Sequence, residues 1–305
     1  MRRLAAFVTF LMSAGLPMTL PPGPADAAVP PGQRLRIVAA ENVYGDVAAQ
    51  LAGHTAQVTS VLSNPNQDPH LFEASPSVAR ALSHATITIS NGNGYDGWMA
   101  GLLAASPAPD RHDIVVADLL GARAGSNPHL WYDPQTMRTF ANGFTRVMDA
   151  TDAPQAAAHA AARDRFLGSL APVQARIDAI RARFGGTSVT ATEPVFGLMS
   201  NALGLVMRNE RFQVAVMNDA EPRPSDVVAF EDDLRGHKVA VLFYNSQASD
   251  TAARRLLGLA RQAGIPVVGV TETEPAGMDY QHWMLSELDL TGRALAQAQS
   301  RPARP

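Results

Sequence analysis

Two short segments share a vocabulary suited to metal ligation: Asp68-Pro69-His70-Leu71-Phe72-Glu73 and Asn127-Pro128-His129-Leu130-Trp131-Tyr132-Asp133-Pro134. Each sets a histidine directly behind a proline, after a strand-like apolar run and near the start of the next helix. The two histidines are 59 residues apart. Proline fixes the turn before the imidazole. Strand carboxyl ends are where open α/β sheets hold ligands, and neutral imidazole nitrogen is the commonest protein ligand for transition metals. The chain has no cysteine, which removes thiolate zinc sites, iron–sulfur clusters, disulfides and thiol nucleophiles together. Any metal must therefore be held by nitrogen and oxygen.

Other chemistries fare worse. Gly92-Asn93-Gly94-Tyr95-Asp96-Gly97 spells G-x-G-x-x-G, with Asp118 about twenty residues on, and on pattern alone suggests a dinucleotide site. It follows the third strand of its lobe where that motif follows the first, so the expectation is a glycine-rich turn. Lys238 is the only lysine and Val239 follows it, so no Walker-type phosphate loop exists. There is no H-E-x-x-H and no G-x-S-x-G. A formal net charge of −3, without long runs of either sign, lacks the basic footprint of nucleic-acid binding.

The elements that must position these histidines alternate. Apolar runs at Leu35 to Ala39, Ala56 to Leu62, Ala85 to Ser90 and Ile114 to Ala117 are interleaved with helical stretches at Val43 to Leu51, Pro76 to Ser83 and Tyr95 to Ala105. A second series runs from Thr187 to Ala191 through Lys238 to Tyr244, Val267 to Val270 and a last helix from Tyr280. Short, near-continuous apolar strands between amphipathic helices predict parallel sheets covered on both faces. Between the series, Pro154 to Phe184 is rich in Ala, Arg and Leu, and Gly185-Gly186 stops it. The expected fold is α/β, two Rossmann-like lobes joined by one long bridging α-helix. The expected divisions are an N-terminal lobe at 34–152, the bridge at 153–185, a C-terminal lobe at 186–300 and a tail at 301–305.

Residues 1–27 read as a secretory signal: Arg2 and Arg3, an apolar core from Leu4 to Leu16, and Ala25-Asp26-Ala27 for cleavage. The core is too short to span a bilayer. Residues 28–33 form a flexible leader. The expected mature protein is periplasmic, and without cysteine it is not lipidated.

The chain resembles the solute-binding proteins of zinc and manganese ABC importers, known as cluster A-I. Their first lobe carries a D-P-H signature twice, and the resemblance spans nearly the whole mature chain. That likeness implies two metal ligands from each lobe: His70 and His129 from the first, Glu193 in Ala191-Thr192-Glu193-Pro194 and Glu272 in Val270-Thr271-Glu272-Thr273-Glu274 from the second. Glu274 is a rival fourth ligand, and His282, opening the last helix, a possible rim residue. Asn127 departs from the pattern, standing where the family usually has Asp, and the His- and acid-rich loop of many zinc-specific members is absent.

The resemblance further implies a monomer that chemically transforms nothing. It would capture one divalent cation, Zn²⁺ or Mn²⁺ with Fe²⁺ a further candidate, and pass it to a membrane ABC permease. Two alternatives remain open on the residues alone. One is a binder of an organic metal chelate such as a siderophore or cobalamin, with a wide aromatic or Arg-lined crevice. The other is a metal-dependent hydrolase, with Glu274 or His282 as base.

Overall fold

The computed structural model describes residues 34–64, 69, 72–247 and 251–301. The export signal, the leader, His70 and residues 302–305 lie outside the described residues.

Two four-stranded parallel sheets organise the chain. The first contains β1 (Leu35–Glu41), β2 (Ala56–Leu62), β3 (Ile87–Ser90) and β4 (His112–Val115) in the order β2-β1-β3-β4. The second contains β5 (Ser188–Ala191), β6 (Val206–Arg208), β7 (Leu242–Asn245) and β8 (Val267–Val270) in the order β6-β5-β7-β8. All four residues of β3 are buried, as are the last five of β1, because helices cover both faces of the sheet. The helices of the first half are α1 (Asn42–Ala52), α2 (Pro76–Ser83), α3 (Gly97–Ala105), α4 (Val116–Leu120) and α5 (Thr136–Thr151). α5 is a helix beyond those expected from the sequence pattern. It buries Met137, Phe140, Ala141, Phe144 and Met148 along one face, the i, i+3, i+4 spacing of an amphipathic helix.

The bridge is helical, with one step. A 3-10 turn at Ala153–Gln155 leads into α6 (Ala156–Ser169), and α7 (Ala171–Phe184) follows after Leu170. Pro172 has no N–H to donate back to Gly168, which opens the backbone ladder there. Leu170 nevertheless keeps right-handed helical angles, φ −78° and ψ −10°. Phe166, Leu170, Val173, Ile177, Ile180 and Phe184 form one buried stripe across the step, repeating every three or four residues. Gly186, at φ 83°, ends the segment in a conformation that glycine adopts without steric cost.

The second half adds α8 (Gly197–Ala202), α9 (Glu210–Met217), α10 (Pro224–Arg235), α11 (Thr251–Gln262) and α12 (Tyr280–Gln299). One hydrophobic core joins both sheets, from Ile37 and Phe140 through the bridge to Val189, Phe243 and Trp283. Tyr132 carries it across, with ring centroids 5.2 Å from Phe196 and 5.6 Å from Trp283. An apolar junction of this kind opposes large relative motion of the lobes. Among the described residues no helix is long and apolar enough to cross a membrane.

Candidate metal centre

In each sheet the chain order reverses beside its first strand, between β1 and β3 and between β5 and β7. Such switch points are where open α/β sheets accommodate ligands. Asn91 follows β3, Glu193 follows β5, Asn245 ends β7 and Glu272 follows β8.

His129 sits in the loop before a 3-10 turn at Leu130–Tyr132 and is fully buried. Asn127 holds it: Asn127 Oδ1 is 3.0 Å from the His129 backbone N and 2.8 Å from Nδ1. The Asn127 amide cannot be reversed, because its Nδ2 donates at 2.6 Å to the Pro194 carbonyl, which only accepts. A neutral amide thus does the orienting expected of an acid. Asn91 supports the same loop, donating to Pro128 O at 2.8 Å and accepting from Tyr44 OH at 2.7 Å. The rings of Tyr95 and Trp131 stand edge-on to the imidazole, at 5.8 and 5.6 Å.

The second lobe supplies the carboxylates. Glu193 is at the N-cap position of the Pro194–Phe196 turn, yet its side chain makes no cap bond. Instead its Oε2 lies 3.3 Å from Asn245 Nδ2. Glu272 is fully buried, and its backbone is gripped by Gln247, whose Oε1 accepts from Glu272 N and Thr273 N. Its Oε1 accepts from Asn245 Nδ2 at 2.7 Å and its Oε2 from Tyr95 OH at 2.9 Å.

The two lobes meet at His129 Nε2 and Glu272 Oε2, 3.2 Å apart. Since Asn127 Oδ1 only accepts, Nδ1 carries a ring proton, and Nε2 is the ring nitrogen turned to the carboxylate oxygen. This approach is favourable only with a proton or a cation between the two atoms. Ligand atoms about 2.0–2.2 Å from one ion at near-tetrahedral angles stand roughly 3.3 Å from each other, so the separation suits shared coordination.

The other candidates fall differently. His70 lies outside the described residues. Glu274 does not join the pair: it is buried on the far side of Thr273, where Asn42 clasps its backbone, accepting from Glu274 N at 3.0 Å and donating to Glu274 O at 2.8 Å. Burial, then the nearby Asp46 and Asp279 carboxylates, push Glu274 up to about 9, so it is a neutral acid at physiological pH. His282 is exposed and pairs with the helix-capping Asp279 at 2.6 Å. His159 is buried with Nδ1 3.1 Å from Asp149. Among the described residues no three His, Asp or Glu side chains stand close enough together to grip an ion unaided. The described part of the centre is the His129–Glu272 pair, with Glu193 joined to it through Asn245.

Sequence reading missed Tyr95, Asn245 and Gln247, neutral residues without a metal-binding signature. Tyr95 was within sight, inside the glycine motif. That motif is a tight turn: Gly92, Asn93 and Gly94 all have positive φ, at 74°, 50° and 85°. A Cβ on Gly92 would come within 2.5 Å of Val115. Asp96 fastens the turn by accepting from Asn91 N at 2.6 Å and Gly92 N at 2.9 Å, and so places Tyr95 against Glu272. Burial, then the charge of Glu272, hold the Tyr95 phenol well above its ordinary range, fixing it as a donor. Burial, then the charge of Asp96, likewise hold the Glu41 carboxyl well above its ordinary range at the end of β1.

A cleft of about 510 Å³ opens beside the centre, lined by Asn93, Tyr95, Asn127, Asn201, Glu210 and Met217 among others. Among its described lining residues Tyr95 is the single aromatic and there is no arginine.

Residues 37–291 match the family described as zinc-uptake complex component A, periplasmic. The manganese ABC transporter substrate-binding lipoprotein PsaA of Streptococcus mitis is 20% identical over 325 residues, covering 97% of this chain and all of that one. The manganese-binding lipoprotein MntA of Halalkalibacterium halodurans is 29% identical over 112 residues, 36% of this chain and 37% of the relative. Among solved structures, the periplasmic zinc-binding protein TroA of Treponema pallidum superposes with a TM-score of 0.74 at 15% identity, covering 86% of this chain and 99% of the other. The solute-binding protein FpvC of Pseudomonas aeruginosa, in complex with Mn²⁺, gives 0.72 at 19% identity, with 87% and 99% covered. These structures share the two-lobed fold.

Proposed function

Because the chain belongs to the family of periplasmic zinc-uptake components, we propose that it captures one divalent first-row cation between its lobes, at His129, Glu193, Glu272 and His70. The protein is a solute-binding component of a metal ABC importer and not an enzyme. The observation that carries the ligand assignment is the approach of His129 Nε2 to Glu272 Oε2 at 3.2 Å, with the imidazole oriented by Asn127 so that Nε2 faces the acid. Glu193 is held beside them by Asn245, and His70 completes two ligands from each lobe. The cargo is Zn²⁺ or Mn²⁺, with Fe²⁺ a further candidate. Zinc binds the more tightly in vitro whichever is physiological, following the Irving–Williams order. A binder of large chelates is disfavoured by a cleft whose described lining has no arginine and one aromatic ring.

The protein works in the periplasm as a monomer, without nucleic acid, and delivers the ion to an inner-membrane ABC permease. Some relatives are named lipoproteins; this chain has no cysteine to carry a lipid. Its lobes divide at 34–152 and 186–300, around the bridge at 153–185.

Elemental analysis of protein taken from its own compartment, without chelator or affinity metal, tests the reading and names the ion. A saturating cation should also raise the melting temperature by several degrees, since a thousandfold excess over Kd adds about 4 kcal/mol to the native state. Metal-free protein showing no thermal shift with Zn²⁺ or Mn²⁺ refutes it.

A further inference from the structure

The peptide unit that joins Thr271 to Glu272 is clamped at both ends. Its N–H donates to Gln247 Oε1 of the second lobe, and its carbonyl accepts from Tyr132 OH of the first lobe at 2.7 Å. Tyr132 is tied as closely to the other ligand, its backbone N donating to His129 O at 3.1 Å within the Leu130–Tyr132 turn. One buried residue therefore links His129 to the backbone immediately before Glu272.

A second tyrosine runs the opposite way. Tyr280, the first residue of α12, donates its OH to Trp131 O at 3.1 Å, and the Trp131 ring stands edge-on to His129 at 5.6 Å. Both tyrosines are buried, and each faces a backbone carbonyl, which only accepts, so both phenols donate. Burial, then Glu287, hold the Tyr132 phenol well above its ordinary range, and burial, then Asp133, raise that of Tyr280. Neither gives up its proton near neutral pH. A single bond across the boundary would let one loop swivel on the other, whereas two bonds in opposite directions fix their angle as well as their separation.

Building on the proposed metal site, we infer that Tyr132 and Tyr280 are positioning residues for metal capture: donating across the lobe boundary in opposite directions, they hold the His129 loop and the Glu272 loop in register. The approach of Nε2 to Oε2 at 3.2 Å is then built into the fold before a cation arrives. Binding does not have to order the two loops, a cost that would otherwise weaken affinity. This role concerns His129 and Glu272 alone and is independent of the coordination number of the ion.

Tyr132→Phe and Tyr280→Phe in the full-length mature chain, stripped with chelator, test this, since each removes a hydroxyl and leaves the ring to pack. Gln50→Ala is the control: Gln50 and Gln281 exchange two hydrogen bonds, at 2.9 and 3.1 Å, where α1 meets α12 across the same boundary. Competition against a chromophoric chelator should show each tyrosine variant binding Zn²⁺ about tenfold more weakly, the scale on which residues that orient a ligand act. Loaded with Co²⁺, each should show visible bands displaced from those of wild type, because Glu272 no longer meets the ion at the same angle. Gln50→Ala should unfold at lower denaturant yet keep wild-type affinity and bands. Tyr280→Phe decides the question if Tyr132→Phe does not fold, as judged by circular dichroism. Wild-type Zn²⁺ affinity or wild-type Co²⁺ bands in a folded tyrosine variant, or an equal loss in Gln50→Ala, overturn the positioning role while leaving metal capture standing. Wild-type protein that binds none of Co²⁺, Zn²⁺ and Mn²⁺ overturns the metal site itself.

Discussion

Asn127 Oδ1 lies 2.8 Å from His129 Nδ1, while the other end of the same amide donates to Pro194 O in the opposite lobe at 2.6 Å. One side chain therefore fixes the face that the imidazole turns to Glu272 and ties that choice to the junction of the lobes.

Removing this support should loosen the site without abolishing it. Asn127→Ala is expected to weaken Zn²⁺ binding by about 10- to 100-fold. Asn127→Asp keeps an acceptor for Nδ1 and should lose less. Competition against a chromophoric chelator measures both, and wild-type affinity in the alanine variant would deny Asn127 its orienting role.

The ligands should separate sharply from their rivals. His129→Ala, Glu193→Gln, Glu272→Gln and His70→Ala are expected to remove tight binding. Glu274→Gln and His282→Ala should stay near wild type, because Glu274 faces Asp46 and Asp279 and His282 pairs with Asp279 at the surface. Isothermal titration of all six variants decides this, and loss of binding in Glu274→Gln would return that residue to the ligand set.

Lobe cohesion has its own handle. The Asn42 side chain makes two hydrogen bonds to the Glu274 backbone, at 2.8 and 3.0 Å. Asn42→Ala leaves a partly buried N–H and C=O without these partners and should cost about 1–3 kcal/mol. Denaturant unfolding of the metal-free protein reads it, and an unchanged midpoint would show that the clasp adds nothing.

Stability should depend on pH through a buried acid. Burial pushes Glu287 up to about 8 from an ordinary 4.5, although Trp283 Nε1 donates to its Oε1 at 2.9 Å. Between those values the folded chain holds a proton that the unfolded chain has released. Its contribution is therefore full below pH 4.5 and is lost as pH rises through about 8. Metal-free protein should be more stable near pH 5 than near pH 8, and Glu287→Gln should make the slope shallower. At about pH 8 the variant should gain up to about 4 kcal/mol. Denaturant titrations across that range check it, and an equally steep slope in the variant would exclude Glu287 as the source.

Much of this protein was legible in the chain itself. β2, β8 and α2 begin and end where the sequence pattern places them, because short β-branched runs and a helix opened by a proline leave little ambiguity in composition. The bridge was visible from its Ala- and Arg-rich run between Pro154 and Gly185. Its step at Leu170 follows from Pro172. α5 is not among the helical stretches expected from the sequence, although Met137, Phe140, Phe144 and Met148 mark its buried face. The Pro-His pairs announced nitrogen ligands by their type and repetition.

What the chain could not reveal by itself was the company these ligands keep. Glu193 and Glu272 are 79 residues apart, and no local pattern says that they share one amide or that Glu274, two positions on, turns away to Asn42. Sequence determined the strands and what stands at their ends. The order of strands in space, with β7 seated between β5 and β8, decided which ends meet, because long-range pairing rests on burial of whole sheet faces while ligand geometry depends on fractions of an ångström.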